Sequence, residues 1–244
     1  MPNYKITVEY DGGKYSGWQL QPSGITCQGE IEKSLSKLGN GELIRVHGAG
    51  RTDSGVHAKG QVANFNLEKQ WDCTKLQNAL NANLASDIKI LDCQIVLDDF
   101  HSRFSAVKRT YSYRCSLKNS VHNRHYCWQI PFNVSIESLN NCSEIVMGEH
   151  DFTSYCKNSD SKPHRLCTVF KSKWCQRDGI LIYITEANRF LHHMVRYLVG
   201  TMMEVARGKL EINQFKSLIE NPNREARVYK APPHGLFLER IDYE

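Results

Sequence analysis

His47-Gly48-Ala49-Gly50-Arg51-Thr52-Asp53-Ser54-Gly55-Val56-His57-Ala58 reads as a glycine-rich turn between two extended runs, residues 43–46 before it and 61–65 after it. Three glycines and an alanine in so short a span allow positive φ angles and let a bulky ligand approach the backbone closely. Arg51 and Asp53 stand two apart, so in an extended segment both side chains share one face and can pair. An Asp held by an Arg stays ionised with a fixed rotamer, as a carboxylate nucleophile or an electrostatic stabiliser requires. The commoner duty of Asp in such a turn is to stabilise the turn itself, and the bare Arg-x-Asp pattern leaves both readings open. Nothing here matches a phosphate-cradling loop, and the turn holds no second carboxylate as an acid/base partner. His57 has the chemistry of a general base, although a hydrogen-bonded packing histidine is the commoner case.

Outward from this turn the pattern mixes strands and helices. Tyr4, Ile6, Val8 and Tyr10 alternate with Lys5, Thr7 and Glu9, which predicts a half-buried strand broken by Asp11-Gly12-Gly13. Thr26 is placed to cap a helix carrying Ile31, Leu35 and Leu38, ended by Gly39 and Gly41; a similar helix with Leu76, Leu80 and Leu84 follows Thr74. Residues 88–91 and 110–115 read as extended, Ser135 as the cap of a helix ending near Met147, and residues 169–174 and 180–185 as a strand pair around Asp178-Gly179. Residues 190–206 read as a long helix, Pro222 limits a short one, and residues 236–241 give a final strand. This order without strict alternation favours α+β over a doubly wound parallel sheet. Counting elements suggests a division near residues 104–108, into halves 1–107 and 108–244, with no linker composition to mark it.

With 244 residues, 41% hydrophobic and 23% charged, the chain is able to bury a sizeable core, which excludes disorder. No run approaches the roughly 18 apolar residues of a spanning helix, and residues 1–5 lack the apolar core of a signal peptide, so a soluble, cytoplasmic protein with no membrane partner is expected. Nine cysteines without a C-x-x-C pair read as reduced packing thiols, with no metal site suggested by their spacing. The net charge of +5, from 31 Lys and Arg against 26 Asp and Glu, permits a polyanionic partner without requiring one.

Two places concentrate that charge. Residues 100–125 hold Arg103, Lys108, Arg109, Arg114, Lys118, Arg124 and three His, with no Asp or Glu, interleaved with Phe104, Tyr111 and Tyr113. Such a stretch suits RNA, with cations on phosphates and rings on unpaired bases, and equally suits a solvated edge strand. On a helical wheel of residues 190–206, Leu191, Met194, Leu198, Met202 and Val205 form a core stripe, while Arg189, His193 and Arg196 fall together on the opposite face. That row either follows a phosphate backbone or is an ordinary wet face.

Gly50-Arg51-Thr52-Asp53-Ser54-Gly55-Val56-His57-Ala58 resembles the signature of the TruA family of tRNA pseudouridine synthases. Other blocks resemble the same family in the same order: Glu9-Tyr10-Asp11-Gly12, then Gly17-Trp18-Gln19 with Gln21-Pro22, Phe100-His101-Ser102-Arg103-Phe104-Ser105-Ala106, and Arg109-Thr110-Tyr111-Ser112-Tyr113. Phe190-Leu191-His192-His193-Met194-Val195-Arg196 with Val199-Gly200, and Ala231-Pro232-Pro233-His234-Gly235-Leu236-Phe237-Leu238, complete the series. Cys27 stands where an aliphatic residue is usual, Gly13 and Lys14 vary the first turn, and residues 157–168 match only loosely, in the region of a substrate-clamping loop.

The resemblance implies an α+β fold of two related α/β halves sharing a largely antiparallel sheet flanked by helices, the pseudouridine synthase fold. It implies isomerisation of uridine to pseudouridine in the anticodon stem-loop of tRNA, at tRNA positions 38, 39 and 40, by a homodimer without a cofactor. Asp53 becomes the catalytic carboxylate, attacking C1′ or C6 or assisting glycal formation. Arg51 becomes its pair and a side chain able to fill the place of a flipped nucleotide, and Tyr111 the ring on the target uracil. Arg109, Arg189, His193, Arg196 and Leu236 become substrate-binding residues. The alternatives are a non-catalytic RNA-binding module, a hydrolase releasing uracil, and a pseudouridine synthase acting on another RNA.

Overall fold

The N-terminal alternation forms strand β1 (Asn3–Tyr10), which keeps Tyr4, Ile6 and Val8 fully buried. The structure, a computed structural model, describes residues 1–39, 41–118, 120–157 and 164–244. It divides into two compact units, Met1–Val107 with Phe237–Glu244, and Lys108–Leu236.

In the first unit, β1 pairs antiparallel with β3 (His57–Asn66) on one side and β4 (Ile88–Val96) on the other; β2 (His47–Gly48) pairs antiparallel with β3. The C-terminal strand β10 (Leu236–Tyr243) lies parallel to β3, with Phe237 opposite His57, so a strand that a division at residue 107 assigns to the second half folds with the first. Helix α1 (Cys27–Leu38) starts where expected, Thr26 accepting the Gly29 N–H at 3.2 Å, and Gly39 ends it. Helix α2 (Cys73–Asn83) starts earlier than expected because Asp72, not Thr74, is the cap, its carboxylate accepting the Lys75 N–H at 2.9 Å. Ile31 and Leu35 of α1 and Leu76 and Leu80 of α2 are fully buried.

Residues 43–46 are not the expected strand. The buried Glu32 of α1 accepts the Val46 N–H at 3.1 Å, and Gln28 donates to the Val46 carbonyl at 3.2 Å, so helix side chains take the backbone groups a neighbouring strand would need.

The second unit is built on the antiparallel order β5 (Ala106–Ser116), β9 (Ile180–Ala187), β8 (Leu166–Arg177), β7 (Gly148–Asp151), with β6 (Trp128–Gln129) parallel to β5. Asp178 and Gly179 turn β8 into β9 with φ of 51° and 77°, as that dipeptide predicts. Helices α3 (Ile136–Ile145), α4 (Met194–Ala206) and α5 (Ile212–Glu220) pack with these strands, and Ser135 caps α3 as expected. Trp174 on β8 donates its indole N–H to the Met202 sulfur of α4 at 3.4 Å and packs on Tyr183, 5.1 Å between centroids. The architecture is thus mixed, with mostly antiparallel sheet flanked by helices, and among the described residues no helix is long and apolar enough to cross a membrane.

All nine cysteines are free thiols, and Cys27, Cys93, Cys115, Cys127, Cys142 and Cys167 are buried. Burial pushes the Cys93, Cys142 and Cys167 thiols up to about 12. A thiol reagent at pH 8 is expected to label Cys73, Cys156 and Cys175 quickly and the six buried thiols only after denaturation. Fast native labelling of more than three would mean that the cores open readily.

Candidate active site

Asp53 sits on the turn singled out from the sequence, and its neighbours hold that turn in place. Thr52 points inward: its hydroxyl shares a 2.8 Å hydrogen bond with the Tyr10 hydroxyl, and its carbonyl accepts the Trp18 N–H at 3.2 Å. The Asp53 carbonyl accepts the Val56 N–H at 3.1 Å, closing a tight turn through Gly55 at φ 77°. Ser54 donates its hydroxyl to the Tyr15 carbonyl at 3.2 Å, and Gln61 donates to the Gly50 carbonyl at 2.8 Å. Gly17, at φ 97°, lets the N-terminal loop lie against this turn: a Cβ there would stand 2.6 Å from the Thr52 carbonyl oxygen. Trp18 lies so closely over Gly48 that a Cβ on that glycine would meet its indole nitrogen at 2.1 Å. The result is a half-buried carboxylate on a backbone bonded from both sides.

The extended geometry from which an Arg51–Asp53 pair was expected is not what the turn adopts. Residues 51–53 are not strand, so two-residue spacing does not put both side chains on one face, and Arg51 is exposed. His57 is a packing residue: its Nδ1 accepts the Gly12 N–H at 3.1 Å, with an Asp11 carboxylate oxygen also at 3.1 Å, and its ring stacks on Phe237 at 4.8 Å.

In the second unit Tyr111 stands on β5 opposite Thr185, 8% exposed, with its ring edge-to-face with Phe190 at 5.1 Å. Arg109, two residues earlier on the same strand, donates to the Asn188 carbonyl at 2.7 Å, which brings it beside the segment carrying Arg189. Arg189 reaches the His164 carbonyl at 3.5 Å. Leu236 is buried and follows a 3-10 turn, Pro233–Gly235. A Cβ on Gly235 would stand 2.8 Å from both the Arg114 carbonyl oxygen and the Tyr113 ring, so that turn sits directly on β5.

The basic row of Arg189, His193 and Arg196 is not a helix face. Helix α4 begins only at Met194, because His193 takes a left-handed φ of 66° that breaks the expected run from Phe190. Every α4 residue except Tyr197 is buried, and Arg196 is 8% exposed. The reason is Gly200: a Cβ there would lie 2.1 Å from the Tyr229 carbonyl oxygen, so residues 229–231 cover the face that the wheel assigns to solvent. Arg196 Nε donates to the Ala231 carbonyl at 2.9 Å, and Ala231 N–H returns a bond to the Arg196 carbonyl at 3.0 Å. Tyr113, whose hydroxyl donates to the Pro232 carbonyl at 2.8 Å, pins the next residue of this segment; sequence reading missed that role.

Arg196→Ala is therefore expected to act through stability. It strands the buried Ala231 carbonyl, costing about 1–3 kcal/mol, and should lower Tm by several degrees while leaving the salt dependence of RNA binding unchanged. A flatter salt slope with unaltered Tm would return Arg196 to the phosphate-contact role.

Lys108 pairs with Glu186 at 3.2 Å and Arg109 is held by Asn188, whereas Arg103, Lys118 and Arg124 are exposed. Residues 158–163, within the loosely matching stretch, lie outside the described residues.

The family model described as tRNA pseudouridine synthase matches residues 6–105 and 143–244 of this chain, and the chain belongs to that family. Tyr111 and Arg109 fall between the two matched stretches but inside the full-length alignments with relatives. A protein named tRNA pseudouridine synthase A 1 from Bacillus cereus is 38% identical over 245 residues, covering 100% of this chain and 99% of the relative. Proteins named tRNA pseudouridine synthase A are 38% identical in a Geobacillus strain, covering 98% of both chains, and 36% identical in Latilactobacillus sakei, covering 99% and 98%.

Proposed function

We propose that this chain isomerises uridine to pseudouridine in the anticodon stem-loop of tRNA, as a homodimer, with Asp53 as its catalytic carboxylate. The observation that carries the reading is the placement of Asp53 on a turn whose backbone is fixed by Thr52, Ser54, Val56 and Gly17. In the reaction the N1–C1′ bond breaks, the uracil rotates, and a C5–C1′ bond forms; the C5 hydrogen leaves as a proton and N1 gains one. The change is redox-neutral. Positive charge develops at C1′ as the glycosidic bond weakens, and a positioned carboxylate stabilises it or traps it covalently.

Tyr111, on a rigid strand and backed by Phe190, supplies a ring for the extruded uracil, and Leu236 a wall beneath it. Arg51, exposed beside Asp53 in sequence, suits the place a flipped nucleotide leaves better than pairing with the carboxylate. Arg109, Arg189 and His193 are candidate contacts to the RNA; Arg196 is a buried support.

The test is release of tritium from C5-tritiated tRNA by the purified wild type, followed by mapping of the modified position. Release with an intact strand and a modified anticodon-arm uridine supports the reading. Free uracil with an abasic ribose would make the protein a hydrolase, modification elsewhere would change the substrate site, and tRNA binding without release would leave an RNA-binding module.

A further inference from the structure

Residues 101–105 form a turn bonded on several sides, to Asn64, His47 and Tyr243 of the first unit. Ser102 is fully buried: its N–H donates to Asn64 Oδ1 at 2.9 Å, its hydroxyl to the His47 carbonyl at 2.5 Å, and its carbonyl accepts the Tyr243 hydroxyl at 2.7 Å. Across the turn the Ser105 N–H donates to the His101 carbonyl at 2.9 Å, Ser105 Oγ accepts the His101 N–H at 3.0 Å, and the Arg103 N–H donates to His101 Nδ1 at 3.1 Å. That last bond needs a lone pair on Nδ1, so His101 is a neutral ring; burial, with His47 and Arg103 nearby, holds it below the ordinary imidazole range.

On this frame three rings stand in a row. His47 and His101 are 5.3 Å apart and tilted by 43°, and His101 and Phe104 are 4.5 Å apart and tilted by 42°. Arg103 places its guanidinium carbon 5.5 Å from the Phe104 centroid. Phe104 ends the row, 76% exposed. A single exposed apolar side chain is ordinary. An exposed aromatic ring carried on a turn fixed by so many bonds, with rings behind it and a cation beside it, is well placed for a flat ligand, since the backbone that presents it is already ordered before binding. A nucleobase stacks on such a ring whatever its sequence, and its phosphate provides the anion for the neighbouring Arg.

We infer that Phe104, backed by His101 and His47, is a stacking subsite for an unpaired nucleotide of the RNA substrate, distinct from the uridine being isomerised, with the adjoining phosphate at Arg103. The inference rests on the proposed action on tRNA. It joins the RNA to the same loop that carries Asp53, because His47 opens that loop.

The experiment compares wild type, Phe104→Ala, Phe104→Leu and Phe104→Trp in binding to an unmodified tRNA transcript, in steady-state C5-tritium release, and in mass by light scattering. Because Phe104 is exposed, all three variants should melt with the wild type. Ala and Leu should weaken binding by about 5- to 100-fold and raise KM accordingly, with the loss falling on KM and not on kcat, whereas Trp should bind at least as tightly as Phe. Leu binding like the wild type would show that apolar bulk suffices and overturn stacking. Ala binding like the wild type would overturn the subsite, and a change in mass with binding intact would give the ring to a second copy of the chain. If the wild type binds tRNA without releasing tritium, the isomerase reading falls while the binding comparison still decides the subsite.

Discussion

Asp53→Asn is expected to release no measurable tritium from C5-labelled tRNA, a loss of about a thousandfold or more in turnover, while still binding the RNA within a few-fold of the wild type. Asn matches Asp in volume and leaves the surrounding backbone bonds in place: Val56 N–H to the Asp53 carbonyl, Trp18 N–H to the Thr52 carbonyl, and the Thr52–Tyr10 hydroxyl pair. What it removes is the negative charge and the lone-pair capacity of an ionised carboxylate. Each of the three chemical routes, attack at C1′, attack at C6 or assistance to a glycal, needs that charge or basicity. Turnover retained by Asp53→Asn would return the residue to the turn-stabilising role that Asp-Ser-Gly sequences commonly serve, and would leave the reaction to other residues.

Gly12→Ala is expected to lower both stability and turnover. A Cβ on Gly12 would stand 2.0 Å from the Val56 carbonyl oxygen and 2.5 Å from its carbon, both backbone atoms with no flexible side chain to give way. The Gly12 N–H also donates to the buried His57 at 3.1 Å, so the 3-10 turn that Gly12 begins cannot retreat without losing that bond. Relief therefore comes from moving residue 56, which closes the turn on Asp53. We expect a cost of about 3 kcal/mol and, for a carboxylate displaced by about 1 Å, a loss near a hundredfold in turnover. Gly50→Ala in the same loop is the control, since a Cβ there meets nothing within 4 Å and should leave Tm in place. Equal melting of the two variants would mean that the loop yields more easily than its bonding suggests.

Local pattern was legible where local forces decide. Alternation gave β1, Thr26 gave the start of α1, and Asp178-Gly179 gave the β8–β9 turn, because period, cap and turn residues act within a few positions. The turn that carries Asp53 was legible for the same reason, as a compact run of glycines around one Asp. What escaped depends on partners far along the chain. Residues 43–46 have strand composition, but a buried Glu32 takes the Val46 N–H. Residues 190–193 carry helical spacing, yet His193 breaks it with a positive φ. Arg196 reads as a solvent-facing charge on any wheel, and only the segment at residues 229–231 puts it inside. One signal did point there: Gly200 in a helix interior costs about 1 kcal/mol against Ala, and a close backbone neighbour is a usual reason to keep it.

Strand β10 runs beside β3, and the Lys59–Glu239 contact between them spans 180 positions of sequence. During synthesis, then, the ribosome releases the whole Asp53 loop and the second unit before the residues that cover this side of β3 exist. Until that moment the His57–Ala58 end of β3 lacks its parallel neighbour, while β2 already covers the same edge at Ala63 and Asn64; the open end leaves the nascent chain vulnerable to proteases and to pairing with strands of other chains. The Asp53 loop is made early, and the neighbour of the strand that follows it is translated some 180 positions later.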